Sequence, residues 1–209
     1  MTRTRLYTER ASELQTQVAS KLSDLTLWVP FMKYHENLSH ILRTAHCYGV
    51  KEIVLIGNAS IHPRQSQSVE QWSKIRKVNT YDELLKERGF EDRPIVIAEV
   101  GIDGVDINKF IWPSNPILAI GTEAGINAKV LRVANCVVEI PMYGVCTSLN
   151  VSAATAILLF HHRLQYEAGH PERRLNLALD FQRPGVLGVR QVSYNLIENT
   201  SLGKGARWE

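Results

Sequence analysis

The 209-residue chain has no apolar run long enough to span a bilayer, and its first residues lack the order of charge, apolar core and small residues that marks a secretory signal. A soluble, cytoplasmic protein with no membrane contact is the expectation. Cysteine is scarce: Cys47, Cys136 and Cys146 are an odd number without CxxC spacing, so neither a disulfide framework nor a zinc site is suggested. All three are expected to be small buried hydrophobes. A Walker loop, a strand-borne GxGxxG and a GxSxG elbow are also missing, which argues against nucleotide hydrolysis, dinucleotide redox chemistry and serine hydrolase chemistry. Among the seven histidines, His35, His40 and His46 lack HExxH spacing, and the adjacent His161 and His162 must point to different faces of a helix. No metal is expected.

What is present is enough for one substantial core, with 44% hydrophobic residues and a length too short for two ordinary domains. A formal charge of +3 permits a polyanionic partner without demanding one. Basic residues gather at Arg3, Arg5 and Arg10, at Arg64, Lys74, Arg76 and Lys77, and at Arg173 and Arg174. Residues 9–24 carry apolar positions at helical spacing and predict an amphipathic helix. Short apolar runs at 25–32, 51–57, 93–100, 115–121 and 136–142 read as strands. Between them, 37–49 and 81–89 read as helices closed by glycine, 127–135 as a further helix, and 148–168 as a long final one. Strands alternating with helices imply an α/β fold with a mostly parallel sheet flanked by helices. Three segments follow: an N-terminal helical extension over 1–24, a core domain over 25–168, and an extension over 169–209 whose pattern, particularly from 183 on, fits either a docking arm or a tail.

Ligands of parallel α/β sheets collect at the carboxyl ends of the strands. Three stretches place small and polar groups there: "HENLSHILR", with Asn37 and Arg43; "AIGTEAGIN", with Gly121, Thr122, Glu123 and Gly125; and "IPMYGVCTSLNVS", with Gly144, Ser148 and Asn150. Taken singly each has an ordinary explanation, Asn37, Ser148 and Asn150 as helix caps and Arg43 and Glu123 as solvated surface.

Taken together and in this order, they resemble the SpoU or TrmH family of the SPOUT class, RNA ribose 2′-O-methyltransferases. The first motif, Asn, five residues, Arg, is matched by "NLSHILRTAHCYGV"; the second, a strand into Gly-x-Glu, by "LAIGTE"; the third is matched in full by "IPMYGVCTSLNVS". The resemblance covers about residues 25–168, and "NLSHILRT" with "HHRLQYEAGHPERRL" looks nearest to the tRNA guanosine-18 branch. One departure stands out: a single residue, Ala124, separates Glu123 from Gly125 where the family has two, which would reshape the cofactor loop.

The resemblance implies a C-terminal deep trefoil knot, a homodimer, and S-adenosylmethionine as methyl donor held around Gly121, Thr122, Ile140, Met142, Gly144, Ser148 and Leu149. It implies that Arg43 activates or positions the ribose hydroxyl. Asn37 would fix Arg43 or the ribose, Glu123 would orient Arg43 or Asn37, and Ser148 and Asn150 would contact RNA phosphate. Leu149, Val151, Ala154, Ile157 and Leu158 would form core and dimer surface, and Tyr143 and Trp72 could stack on unpaired bases. The RNA is expected to be tRNA. Ribosomal RNA or another tRNA position, and a knotted RNA-binding protein without methyl transfer, stand as alternatives.

Overall fold

A computed structural model describes residues 16, 18–66, 69–87, 89–90 and 92–173. Most of the expected N-terminal helix, with Arg3, Arg5 and Arg10, lies outside the described residues, as do Arg174 and the remainder of the C-terminal extension; residues 18–20 are helical as expected. The elements in chain order are β1 (Thr26–Val29), α1 (His35–Cys47), β2 (Glu52–Ile56), α2 (Pro63–Ser66), a 3-10 turn (Val69–Gln71), β3 (Ile75–Val78), α3 (Tyr81–Leu85), β4 (Ile95–Ala98), β5 (Val105–Asp106), β6 (Ile117–Ala119), α4 (Ala128–Val133), β7 (Cys136–Glu139) and α5 (Val151–Gly169).

The strands form one seven-stranded sheet in the order β3-β2-β1-β6-β4-β7-β5, and every pairing is parallel. Both faces of the sheet are covered, which is why its central strands read as unbroken apolar runs rather than alternating ones. Along β1, Leu27 and Val29 join a core with Leu38, Ile41 and Leu42 of α1 and Leu158 and Leu159 of α5. Trp28 points the other way, into a second core with Val54, Ile97, Ile117, Leu84 of α3 and Val130 of α4.

The connections after β4 are not sequential. The chain runs to the edge as β5, returns across β4 to form β6, then crosses again to lay β7 between β4 and β5. The segments following β4, β6 and β7 therefore meet at the carboxyl ends of three neighbouring strands, and the site is built there.

Helix α1 buries Leu38, Ile41, Leu42 and Ala45, and the chain turns at Gly49, whose φ of 65° favours a residue without Cβ. Its N-cap is Tyr34, so Asn37 sits inside the first turn and its side chain is released for other work. At the far end of α5, Arg163 is nearly buried and donates to the carbonyls of Lys21 (2.8 Å) and Arg173 (2.7 Å) and to Glu167 (2.7 Å). His161 accepts from Trp112 Nε1 at 3.0 Å while His162 faces Asp24, so the pair does diverge.

Some expectations are corrected. Cys47, the last residue of α1, and Cys146, in the loop before α5, are exposed, and Cys136 is half-buried, because none lies on a packed helix face. Strands β3 and β5 were not anticipated, and α3 ends at Leu85, well before Gly89. Arg76 is clamped between Glu87 (2.7 and 2.9 Å) and Glu52 (3.3 Å), and Arg173 donates to the carbonyls of Ser20 and Leu22, so neither is a free cation for a polyanion. Among the described residues no helix is long and apolar enough to cross a membrane, and no cluster of metal-binding side chains occurs.

Candidate active site

At the carboxyl ends of β4, β6 and β7 lies a cavity of about 370 Å³. It is walled by Ala98, Glu99 and Val100 after β4, Ile120–Glu123 and Gly125 after β6, Val138, Ile140 and Met142 around β7, and Ser148–Val151, Ala154, Thr155 and Leu158 leading into α5. Six of the seven residues expected to hold a cofactor line it: Gly121, Thr122, Ile140, Met142, Ser148 and Leu149. Gly144 does not, and open space surrounds the place where its Cβ would stand.

The loop after β6 is a closed turn. Thr122 N–H donates to Gly125 O (2.9 Å), Gly125 N–H donates back to Thr122 O (3.1 Å), and Ala124 N–H donates to Thr122 Oγ1 (3.0 Å). The turn has only Glu123 and Ala124 at its tip. Gly125 takes the left-handed φ of 94° that closes it. Gly121 lies directly beneath: a Cβ there would stand 2.8 Å from the Gly125 carbonyl carbon and 2.9 Å from its oxygen. The loop is thus packed down on its own base, beside the cavity.

Glu99 fixes the other side of the turn, its Oε2 accepting from Ile126 N–H at 2.9 Å and its Oε1 from Val100 N–H at 3.3 Å. It lines the cavity, and sequence reading missed it. The available signal was its position one residue beyond a buried parallel strand.

The three motifs converge through hydrogen bonds between side chains. Asn150 Nδ2 donates to Asn37 Oδ1 at 3.0 Å, and Asn37 Nδ2 donates to Glu123 Oε1 at 2.8 Å. Asn150 is also the N-cap of α5, its Oδ1 accepting from Ser152 N–H (2.8 Å) and Ser152 Oγ (2.7 Å). Asn37 is 7% exposed, so this relay has a buried centre. Burial pushes the Glu123 carboxyl upward, but hydrogen bonds from its own backbone, from Asn37 and from the backbone of Tyr34 and Lys33 outweigh that and hold it below the usual carboxylate range. The relay ends on a carboxylate that stays ionised.

Arg43 stands apart. It is exposed on α1 and makes no hydrogen bond or ion pair among the described residues. Six residues along a helix from Asn37 rotates its side chain about 120° off the relay's face. Glu123 therefore orients Asn37, not Arg43. Ser148 lines the cavity with no hydrogen-bond partner among the described residues.

The cavity fits S-adenosylmethionine. Apolar walls from Ile120, Val138, Ile140, Leu149 and Leu158 suit an adenine ring, the side-chain-free backbone at Gly121 allows close approach, and the carboxylates of Glu99 and Glu123 in the wall would complement a sulfonium.

A profile of the SpoU rRNA Methylase family matches residues 24–160. The tRNA (guanosine(18)-2′-O)-methyltransferase of Aquifex aeolicus is 30% identical over 167 residues, 76% of this chain and 78% of that one. The enzyme of the same name from Thermus thermophilus is 29% identical over 172 residues, 78% of this chain and 87% of that one. In structure, the A. aeolicus TrmH/SpoU tRNA modifying enzyme superimposes with a TM-score of 0.71 at 25% identity, covering 81% of this chain and 88% of the other. An AdoMet-bound rRNA methyltransferase from Sinorhizobium meliloti does so with a TM-score of 0.58 at 25% identity, covering 72% and 59%. The chain belongs to the SpoU rRNA methylase family and is an S-adenosylmethionine-dependent RNA ribose 2′-O-methyltransferase.

Proposed function

We propose that the enzyme methylates tRNA, at guanosine 18 of the D-loop, from a site in which the Asn150–Asn37–Glu123 relay is scaffold and Arg43 and Ser148 meet the RNA. The observation that carries the reading is the relay itself. Both amide atoms of Asn37 are spent inside the chain, as are Asn150 Oδ1 and one Nδ2 hydrogen, so these two position the site more than they touch a substrate. Ser148 in the cavity wall and Arg43, exposed on α1, make no hydrogen bond among the described residues and so remain available to a substrate.

A ribose 2′-hydroxyl is a poor nucleophile at neutral pH and must be held in line and relieved of its proton. A guanidinium is too basic to remove that proton at pH 7 in its ordinary state. Arg43 therefore draws in the adjacent phosphate and stabilises charge on the attacking oxygen, with the phosphate accepting the proton. Ser148 bonds the phosphate or ribose at the cavity rim, and Glu123 balances the cationic donor. S-adenosylmethionine, when bound, supplies the electrophilic methyl carbon. The tRNA substrate is supported by the named activity of the A. aeolicus and T. thermophilus relatives.

The same reading takes the strand crossings after β4 as the path of a deep trefoil knot, and a homodimer as the working form. Tyr143 (95% exposed) and Val145 (100%) beside the cavity, with Ile157, Phe160 and Leu164 on α5, are the apolar groups a second copy would cover.

The test is transfer of labelled methyl from S-adenosylmethionine to unmodified tRNA and, in parallel, to ribosomal RNA. Incorporation into tRNA at guanosine 18, lost in Arg43→Ala while cofactor binding persists, is expected. Incorporation only into ribosomal RNA would overturn the substrate, and equal loss of transfer and cofactor binding would make Arg43 structural.

A further inference from the structure

A second cavity, also about 370 Å³, opens at the carboxyl ends of β1, β2, β3 and β6 on the opposite side of the Thr122–Gly125 turn. Thr122 lines both cavities, so the two are neighbours across a single residue. Nothing in the cofactor site uses the second one. Its walls come from four separate loops: Pro30 and Phe31 after β1, Ile56 and Gly57 at the end of β2, Asn79–Asp82 after β3, and Asn127 and Lys129 at the start of α4.

Its chemistry is of one kind. Phe31 is half exposed in a loop whose neighbours are buried, and its ring pairs with no other aromatic group among the described residues. Its Cβ lies against the Gly57 backbone, where an added Cβ would already be in contact at 3.5 Å. Asn79 has a side-chain amide with no hydrogen-bond partner among the described residues. Asn127 spends its oxygen on Lys129 N–H (2.9 Å) and keeps its amide nitrogen unbonded among the described residues. Lys129 is paired at the rim with Asp82, both well exposed, so its ammonium can be exchanged to an incoming phosphate at little cost.

An exposed ring face beside uncommitted amide donors and acceptors is how proteins hold a splayed, single-stranded base: the ring stacks, the amides read the edge, and a cation meets the backbone. We infer that this second cavity is a nucleobase subsite, in which Phe31 stacks on an unpaired base of the RNA substrate and Asn79 and Asn127 bond its edge. The inference rests on the RNA methyltransferase reading and deepens it. A base seated there is fixed one loop away from the methyl donor, and the enzyme gains a means of choosing a loop nucleotide.

The experiment measures binding of an unmodified tRNA transcript to the full chain by fluorescence anisotropy, alongside methyl transfer and cofactor binding, for wild type, Phe31→Ala, Phe31→Trp and Asn79→Ala. Phe31→Ala is expected to weaken transcript binding about tenfold, in the range of loss of one stacked base. Its cofactor affinity should stay unchanged. Phe31→Trp should restore binding and show indole fluorescence quenched by the transcript. Asn79→Ala should raise KM for RNA with little change in kcat. Transcript affinity of Phe31→Ala within twofold of wild type, with no quenching in Phe31→Trp, would overturn the subsite while leaving the reaction intact. Binding that is sensitive to Phe31 in a protein that methylates no RNA would support the subsite and sink the tRNA substrate.

Discussion

Gly121 has no room for a side chain, because its missing Cβ would lie 2.8 Å from the backbone of Gly125. The obstacle is main chain held by two hydrogen bonds, so Gly121→Ala must displace the Thr122–Gly125 turn. Overpacking of this kind costs about 1–3 kcal/mol. The displaced backbone is what would hold the cofactor, so calorimetry should show S-adenosylmethionine affinity reduced by at least about tenfold, the equivalent of about 1.4 kcal/mol. Affinity equal to wild type would mean the cofactor does not use this turn. At this scale the sequence was informative where a residue belongs to a chemical pattern: Asn37, Glu123 and Asn150 are separated by up to 113 positions yet form one hydrogen-bonded relay. It was silent on Glu99, which pins a loop, and Gly144's place in the motif is not a place in the cavity wall.

Asn150 serves an element and the site at once. As N-cap it satisfies Ser152 N–H at the start of α5, and through Nδ2 it donates to Asn37. Asn150→Asp separates the two roles, since a carboxylate oxygen still caps the helix, and favourably so at the positive end of its dipole. The donor to Asn37 is lost, and a second carboxylate is brought toward Glu123. Melting temperature is therefore expected to stay near wild type while methyl transfer drops by about tenfold or more, the scale of one charge-coupled hydrogen bond. Asn150→Ala should lose both, with a cap penalty of about 1 kcal/mol. If Asn150→Asp melts low and keeps its activity, the relay is only a cap. Elements were legible when they carried apolar surface on a period: β1, β2, β4, β6, β7 and the helices α1 and α5 lie where the runs of Leu, Ile and Val fall. β3 escaped because "IRKV" is an edge strand with Arg76 and Lys77 among its four residues, and β5 because it has only two residues.

Across the whole molecule, the end of the sheet opposite the site is tied by Asp24. Its Oδ2 accepts from Asn115 N–H at 2.6 Å, and its Oδ1, buried without an aligned hydrogen bond, lies 3.3 Å from His162 Nε2 on α5. Burial pushes this carboxyl up, yet the nearby His162 and the Asn115 N–H prevail and hold it below the usual carboxylate range. A depressed carboxyl stabilises the fold above its unfolded value and loses that contribution as pH falls through the folded one. Below about pH 4 the melting temperature of wild type should therefore fall more steeply than that of Asp24→Asn; parallel slopes would remove Asp24 from the acid transition.

At the same scale, strand order was the least legible feature. Local periodicity indicates a parallel sheet but not that β6 enters between β1 and β4. What covers the molecule is likewise invisible to periodicity, which assigns α5 a core face and leaves the rest open. Ile157, Phe160 and Leu164 fall at helical spacing along that remaining face, 38%, 48% and 51% exposed, beside a loop whose residues 143–150 are all exposed. Three apolar side chains in line on a 19-residue helix, with the exposed Tyr143 and Val145, are what the proposed homodimer would bury about a two-fold axis. Leu164→Glu replaces a half-exposed side chain that belongs to neither core, so helix content by circular dichroism should be unchanged. Sedimentation is expected to show dimer for wild type and monomer for the variant, and methyl transfer should fall because the loop at the cavity mouth loses its cover. A Leu164→Glu protein that sediments as wild type and retains full activity would show that this face has another occupant.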